Sequence, residues 1–195
     1  MPPIDPLYAF VLAGLFTPGP NVILIAASGA RFGVRPTVPH IAGVVVGVGI
    51  TSALTALGIG AVLLAAPAAK LALQLAAAAW ILWMAWSLLR ARPGGAGDRD
   101  RPFTFVEAVL FQWVNPKVWA IALAASSGYA SDLPAAWEAA RIGSAFSGIN
   151  LFVCIFWASA GALLSLLLTT PAAWRAFTTV MAIALSLSAG LIFVG

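Results

Sequence analysis

The sequence has very little charge, and this scarcity excludes most classes of soluble protein. Only 8% of its 195 residues are Asp, Glu, Lys or Arg, whereas 62% are hydrophobic. Soluble domains usually carry about 25% charged residues, and the interior of such a domain has no room for so many apolar side chains. The mean hydropathy of +1.02 therefore indicates that lipid is the solvent. We predict an all-α membrane protein.

Cysteine, histidine and acidic residues are also scarce. The single Cys154 cannot form an intramolecular disulfide and excludes a membrane dithiol carrier. One cysteine, one histidine and no buried acidic cluster supply too few ligands for a metal, so neither a metal nor another cofactor is predicted. No Ser/His/Asp or Cys/His set lies at a common depth, so we do not expect an enzyme. The net charge of +4 is not gathered into a basic patch, which argues against nucleic acid as a partner.

Six apolar segments are long enough to cross a bilayer at about 20 residues each. They run near residues 6–30, 38–66, 70–90, 104–126, 143–168 and 173–194. The second is long enough to tilt or to contain a break. A polar, flexible linker at about 91–102 divides a single transporter domain, residues 1–195, into a first repeat at about 6–90 and a second at about 103–194.

Positive charge lies mostly on one side of these predicted spans. Seven arginines share that side: Arg31, Arg35, Arg90, Arg92, Arg99, Arg101 and Arg175. The other side has Lys70 and Arg141 together with three acidic residues. Because loops rich in Lys and Arg stay in the cytoplasm, the seven arginines are predicted to be cytoplasmic and both termini to be outside.

Proline interrupts two of the spans at matching positions. Thr17-Pro-Gly-Pro-Asn21 breaks the first span, and Val114-Asn-Pro-Lys117 breaks the fourth. Each break lies about 13 residues, or about 20 Å, past the start of its span, which is close to the membrane midplane. Since each half has three helices, the second half must be inverted relative to the first. We therefore predict six transmembrane helices as two inverted three-helix repeats, with helices 1 and 4 broken at proline. The predicted hinge residues are Pro18, Gly19, Pro20 and Pro116.

The groups beside the breaks are predicted to bind a substrate. The prolines free the carbonyls of Gly14, Phe16 and Gln112, and each half-helix after a break begins with its positive dipole end at the midplane. Positive helix ends beside free carbonyls suit a zwitterion. The alternative is that the two kinks only shape the packing. The predicted substrate-binding residues are Asn21, Asn115, Lys117, Gln112 and Asn150.

Two charged residues of the fourth span are candidates for proton coupling. Lys117 is more than a turn from either end of its span, a position that costs a few kcal/mol unless the ammonium is paired or hydrated. It is expected either to bind a carboxylate or to titrate, the alternative being a side chain that reaches the interface. Glu107 is interpreted either as a proton acceptor or as an interfacial carboxylate beside the arginine-rich linker.

Two further features belong to the second span. Gly43-Val-Val-Val-Gly47 is a pattern of small residues that lets helices approach closely, with a helix of the same chain or of a second subunit as the partner. A homo-oligomer is thus left open. His40 opens the span and is more typical of a structural histidine than of a proton relay.

Together, these motifs resemble those of the LysE/RhtB family of bacterial amino-acid exporters. The resemblance is carried by Thr17-Pro-Gly-Pro-Asn21 and Phe111-Gln-Trp-Val-Asn-Pro-Lys117, and it covers essentially the whole chain. It implies alternating-access efflux of an amino acid or derivative across the inner membrane, driven by the proton motive force. The Phe-Gln-Trp-Val-Asn context resembles that of family members that export small neutral or thiol-containing amino acids. The chain differs from members with cationic substrates in having few intramembrane carboxylates, which argues against lysine or arginine as the substrate.

Two other functions are weighed against amino-acid export. One is a divalent metal-ion exporter of the wider superfamily, and the other is a non-transporting membrane subunit. A small-molecule substrate and membrane lipid are the expected partners.

Overall fold

The computed structural model describes residues 5–17, 19–59, 65–90 and 101–193. Within these ranges it contains eight helices. They are α1 (Pro6–Phe16), α2 (Pro20–Phe32), α3 (Val34–Ala56), α4 (Pro67–Leu89), α5 (Phe105–Val114), α6 (Pro116–Gly128), α7 (Ala135–Ser165) and α8 (Pro171–Leu191). Pro18 and residues 91–100 of the predicted linker lie outside the described residues.

The described helices provide three to five candidate membrane spans by length and hydropathy. Helices α3, α7 and α8 are each long and apolar enough to cross a membrane alone. Helices α1 and α2 form one candidate span bent by 61°, and α5 and α6 form another bent by 66°. The described part of α4 adds a shorter apolar helix, Gln74–Leu89. These elements make the chain an all-α, multi-pass membrane protein.

Two helix boundaries differ from those predicted. Helix α7 begins at Ala135 instead of near residue 143, because its first turns carry charges that lower the hydropathy but pair with each other, as Glu138 does with Arg141. Helix α3 ends at Ala56 instead of near residue 66. Gly58 follows that end with a φ of 89°, a left-handed conformation that stops a helix and favours glycine.

Both broken spans are interrupted at the predicted places, and their backbones are repaired locally. The Thr17 hydroxyl donates to the carbonyl of Gly14 at 2.7 Å, and the backbone N–H of Asn115 donates to the carbonyl of Gln112 at 3.2 Å. These two carbonyls, predicted to be free for a substrate, therefore already have donors. A proline then occupies the first turn of α2 and of α6, where its missing N–H costs nothing.

Glycine lets the central helices pack at short distances. Helix α3 packs against α5, α6 and α7, and α7 also packs against α1 and α2. The side-chain position of Gly43 faces the backbone of Phe105 and the methyl of Ala108, and that of Gly47 faces Val109. The partner of the Gly43–Gly47 pattern is thus α5 of the same chain.

Candidate functional site

The two breaks meet through a pair of side-chain amides. Asn21, in the first turn of α2, donates from Nδ2 to Oε1 of Gln112 in α5 at 2.8 Å. Gln112 donates in return from Nε2 to Oδ1 of Asn21 at 3.2 Å. Gln112 is fully buried and also donates to the carbonyl of Ala108 at 2.9 Å. This reciprocal pair joins the two broken spans in the interior of the protein.

Lys117 makes a second connection between the breaks. Its Nζ donates to the backbone carbonyl of Thr17 at 2.5 Å, at the point where α1 ends. A Cβ on Gly19 would lie 2.9 Å from both Cδ and Nζ of Lys117. The absence of a side chain at Gly19 therefore provides the space through which the lysine stem reaches the break.

The two connections are reciprocal in the chain. Asn21 is the residue after Pro20, and Lys117 is the residue after Pro116. Asn21 contacts Gln112 near the end of α5, the helix before the second break. Lys117 contacts Thr17 at the end of α1, the helix before the first break. The second residue of each of the helices α2 and α6 thus bonds to the opposite broken span.

A small pocket lies between these residues. It is lined by Leu15, Gly19, Asn21, Val22, Asn115, Lys117, Val118, Ile121 and Asn150. Asn115 is 1% exposed and Asn150 is 3% exposed. The predicted residues Asn21, Asn115, Lys117, Asn150 and Gly19 therefore come together, and Gln112 lies directly behind Asn21.

Two polar atoms of this pocket have unused hydrogen-bonding capacity. Oδ1 of Asn115 and Nδ2 of Asn150 are buried, and neither finds a hydrogen-bond partner within the described ranges. A buried polar atom without a partner costs about 1–3 kcal/mol. One of these atoms is an acceptor and the other a donor, so together they can receive an ammonium and a carboxylate. The Cys154 thiol lies 3.7 Å from the oxygen of the same Asn150.

The charge of the pocket lining is positive. Lys117 is its one ionisable side chain, and no Asp or Glu is among the described residues that line it. Helices α2 and α6 both begin there, and the N-terminus of a helix carries a partial positive charge. The lining therefore favours a ligand with a carboxylate and disfavours one with a net positive charge.

Glu107 lies outside this pocket and takes part in capping the N-terminus of α5. Its carboxylate accepts from the Thr104 backbone N–H at 2.8 Å, and its own N–H donates to the Thr104 hydroxyl at 3.2 Å. This is a capping box. Arg101 also donates to Glu107 at 2.7 Å, and this hydrogen bond, aided by the opposite charge, raises the pKa of Arg101.

The structure adds Thr17 to the residues predicted for this site. Its hydroxyl repairs the end of α1, and its carbonyl accepts from Lys117. A threonine directly before a proline break was the available signal, because hydroxyls commonly repair such breaks within membranes. Pro20 and Pro116 begin α2 and α6, whereas the predicted hinge residue Pro18 lies outside the described residues.

A separate polar cluster joins the start of α1 to α7, at the end of the molecule that carries Asp5. Arg141 of α7 contacts Asp5 at 3.0 Å and Glu138 at 2.8 Å, and it also donates to the backbone carbonyl of Tyr129. The ring of Tyr129 lies 5.2 Å from that of Phe10 in α1. These contacts close that end of the interface between α1 and α7.

Metal ligands do not gather anywhere in the part of the chain that the structure describes. Within it, no three His, Cys, Asp or Glu side chains come close enough to hold one ion together.

The chain is similar to a known family along nearly its whole length. A family model described as LysE type translocator matches residues 12–194. The cysteine/O-acetylserine efflux proteins of Escherichia coli (strain K12), Escherichia coli O1:K1 / APEC and Shigella flexneri serotype 5b (strain 8401) are each 32% identical to it over 116 residues. That stretch is 59% of this chain and 59% of each relative, so the match spans less than two thirds of the relatives' length. No solved structure matches the chain.

Proposed function

The chain belongs to the LysE type translocator family, and we propose that it exports a small neutral amino acid or amino-acid derivative across the bacterial cytoplasmic membrane. The observation that carries this proposal is the meeting of the two broken spans around one pocket. Interrupted helices that meet in the interior of a membrane protein are typical of transport sites, because their backbone and dipole ends are available to a polar ligand.

The substrate class follows from the pocket lining and from the relatives. A lining with one lysine and no carboxylate among the described residues favours a zwitterion over lysine or arginine. The relatives are named as efflux proteins for cysteine and O-acetylserine. These two compounds, both small and neutral overall, are therefore the first substrates to test.

The pocket offers a group for each end of such a zwitterion. The substrate carboxylate binds Lys117 and the Nδ2 of Asn150, and the substrate ammonium binds the Oδ1 of Asn115. The unused hydrogen-bonding capacity of the two asparagines supports this assignment, because a ligand that satisfies both removes a desolvation cost of about 1–3 kcal/mol for each atom.

Transport proceeds by alternating access between two inverted three-helix repeats, with the seven arginines in the cytoplasm and both termini outside. The bonds of Asn21 and Lys117 support a symmetric relationship between the two repeats. The two residues hold equivalent positions after their prolines, and each bonds to the broken span of the other repeat. The contacts of Arg141 with Asp5 and Tyr129 close the outer end. Their release would open the site to the outside.

Export is driven by the proton motive force, and Lys117 is the group that couples to it. Loss of its proton would remove the positive charge, weaken the hydrogen bond to the Thr17 carbonyl and loosen the contact between the breaks. The contacts of the Glu107 carboxylate with Thr104 and Arg101 at the start of α5 support its role as an interfacial carboxylate more than a role in this coupling.

The test is to overexpress the chain in a bacterial host and measure extracellular amino acids by mass spectrometry. We expect the wild type to raise the extracellular level of a small neutral amino acid. Lys117→Ala is expected to abolish that rise at equal expression, whereas the control Leu110→Ala, on an exposed position of α5, should leave it unchanged. An unchanged profile for the wild type would reject export, and full activity of Lys117→Ala would reject the site.

A further inference from the structure

One face of α2 carries residues of both the pocket at the breaks and a second pocket. Asn21, Leu24, Ser28 and Arg31 are spaced by three and four residues, so they lie on one side of the helix. Asn21 lines the first pocket, and the other three line the second. At 1.5 Å per residue, the path from Asn21 to Ser28 is about 10 Å long.

The second pocket combines an apolar wall with polar groups that suit a carboxylate. Trp83, Met84 and Phe103 form part of the wall, and His40, Arg31 and Arg101 contribute the basic groups. The imidazole Nδ1 of His40 lies 3.4 Å from the hydroxyl of Ser28. The guanidinium of Arg101 is already paired with Glu107, so it contributes to the field around the pocket more than to a new contact.

The polar groups of this pocket lie deep in the protein. His40 is 2% exposed and Ser28 is 6% exposed, and the ring of His40 is fixed edge-on against Phe103 at 4.9 Å. A phospholipid headgroup is tethered to its acyl chains in the bilayer, whereas a small free anion can enter the pocket and reach groups buried inside the protein. The burial therefore favours a small carboxylate over a lipid as the ligand.

We propose that this pocket is a second binding site, which holds the carboxylate of a free amino acid on Ser28 and His40 at the arginine-rich end of the chain. The amino acid then moves along the α2 face to the broken helices, past the partly exposed side chain of Leu24. This inference rests on the proposed function. It adds a first binding site on the cytoplasmic side, from which the exported amino acid enters.

The scarcity of cysteine provides a direct experiment. Ser28→Cys is made in the otherwise unchanged chain, whose single Cys154 is 2% exposed, so the parent chain gives the background labelling. Inside-out membrane vesicles are treated with a charged thiol reagent, with and without the exported amino acid. We expect labelling of Ser28→Cys to abolish transport. We also expect the amino acid, at about ten times its dissociation constant, to slow labelling about tenfold by mass action.

Three comparisons make the outcome decisive. Ser87→Cys, from the opposite wall of the pocket, replaces Ser28→Cys if that variant does not fold. Ala172→Cys, exposed in the first turn of α8 on the same arginine-rich side as Arg175, is the control whose labelling the amino acid should not slow. Anionic-lipid vesicles replace the amino acid in a parallel assay.

The proposal is overturned if complete labelling of Ser28→Cys leaves transport intact. It is also overturned if only the anionic lipid slows labelling, since the ligand would then be a headgroup. A parent chain that exports no amino acid contradicts the proposed function instead. Because protection from labelling measures binding without transport, the two failures are distinguishable.

Discussion

Removing the amide pair between Asn21 and Gln112 should uncouple the two broken spans. We predict that the single variants Asn21→Ala and Gln112→Ala each reduce stability, and that the double variant loses less than the sum of the two. The reason is that the two side chains bond to each other in both directions, at 2.8 and 3.2 Å. Once one partner is absent, removing the other no longer costs those bonds.

The size of this coupling follows from the number of bonds. Hydrogen bonds between helices within membranes contribute about 0.6 kcal/mol each on average and about 1.7 kcal/mol at most. Two such bonds predict a coupling energy of about 1.2 kcal/mol, with an upper limit of about 3.4 kcal/mol. Gln112→Ala alone should cost more than Asn21→Ala, because Gln112 also donates to the carbonyl of Ala108.

The assay is a double-mutant cycle on the purified protein, with the free energy of unfolding measured by titration with a denaturing detergent. Ser165→Ala is the control, since the Ser165 hydroxyl bonds to the carbonyl of Ala162 within its own helix. Its effect should add to that of Asn21→Ala within about 0.3–0.5 kcal/mol. If Asn21→Ala and Gln112→Ala are equally additive, the breaks are not joined as described.

Three further changes test the packing and the helix ends. Gly161→Ala should destabilise the protein by about 1–3 kcal/mol, because the added methyl meets the backbone of Ala26, whereas Gly148→Ala, with open space at its Cβ, should be neutral or stabilising by thermal unfolding. Thr104→Ala should cost about 1 kcal/mol by removing the cap of α5, and Thr104→Ser should restore it. Arg141→Gln should lower the unfolding free energy by about 1 kcal/mol, since the ion pairs it breaks are partly solvated, and Arg141→Lys should recover part of that loss.

The breaks of the first and fourth spans could be predicted from the sequence because proline acts locally. It removes an amide donor and is accommodated best in the first turn of a helix, so Pro20 and Pro116 predict the starts of α2 and α6 without any tertiary information. The placement of Asn21, Asn115 and Lys117 near one depth follows from the same positions. The all-α class follows from composition alone.

The contacts across the breaks could not be predicted in the same way. Nothing in the sequence indicates that Lys117 bonds to the Thr17 carbonyl, since a backbone acceptor is present at every residue and only the tertiary fold selects one. The start of α7 at Ala135 was missed because Glu138 and Arg141 lower the hydropathy, although they pair within the same helix face. The partner of Gly43 and Gly47 likewise required coordinates, because the pattern itself does not distinguish α5 from a second subunit.

The central claim is that the pocket at the two breaks carries an amino acid across the membrane. Counterflow with purified protein in proteoliposomes tests it most directly, with the labelled amino acid that the export assay identifies. We expect the wild type and Leu110→Ala to concentrate the label in exchange for an unlabelled internal pool, and Lys117→Ala and Asn115→Ala not to do so. Counterflow by Lys117→Ala and Asn115→Ala at the wild-type rate would contradict it.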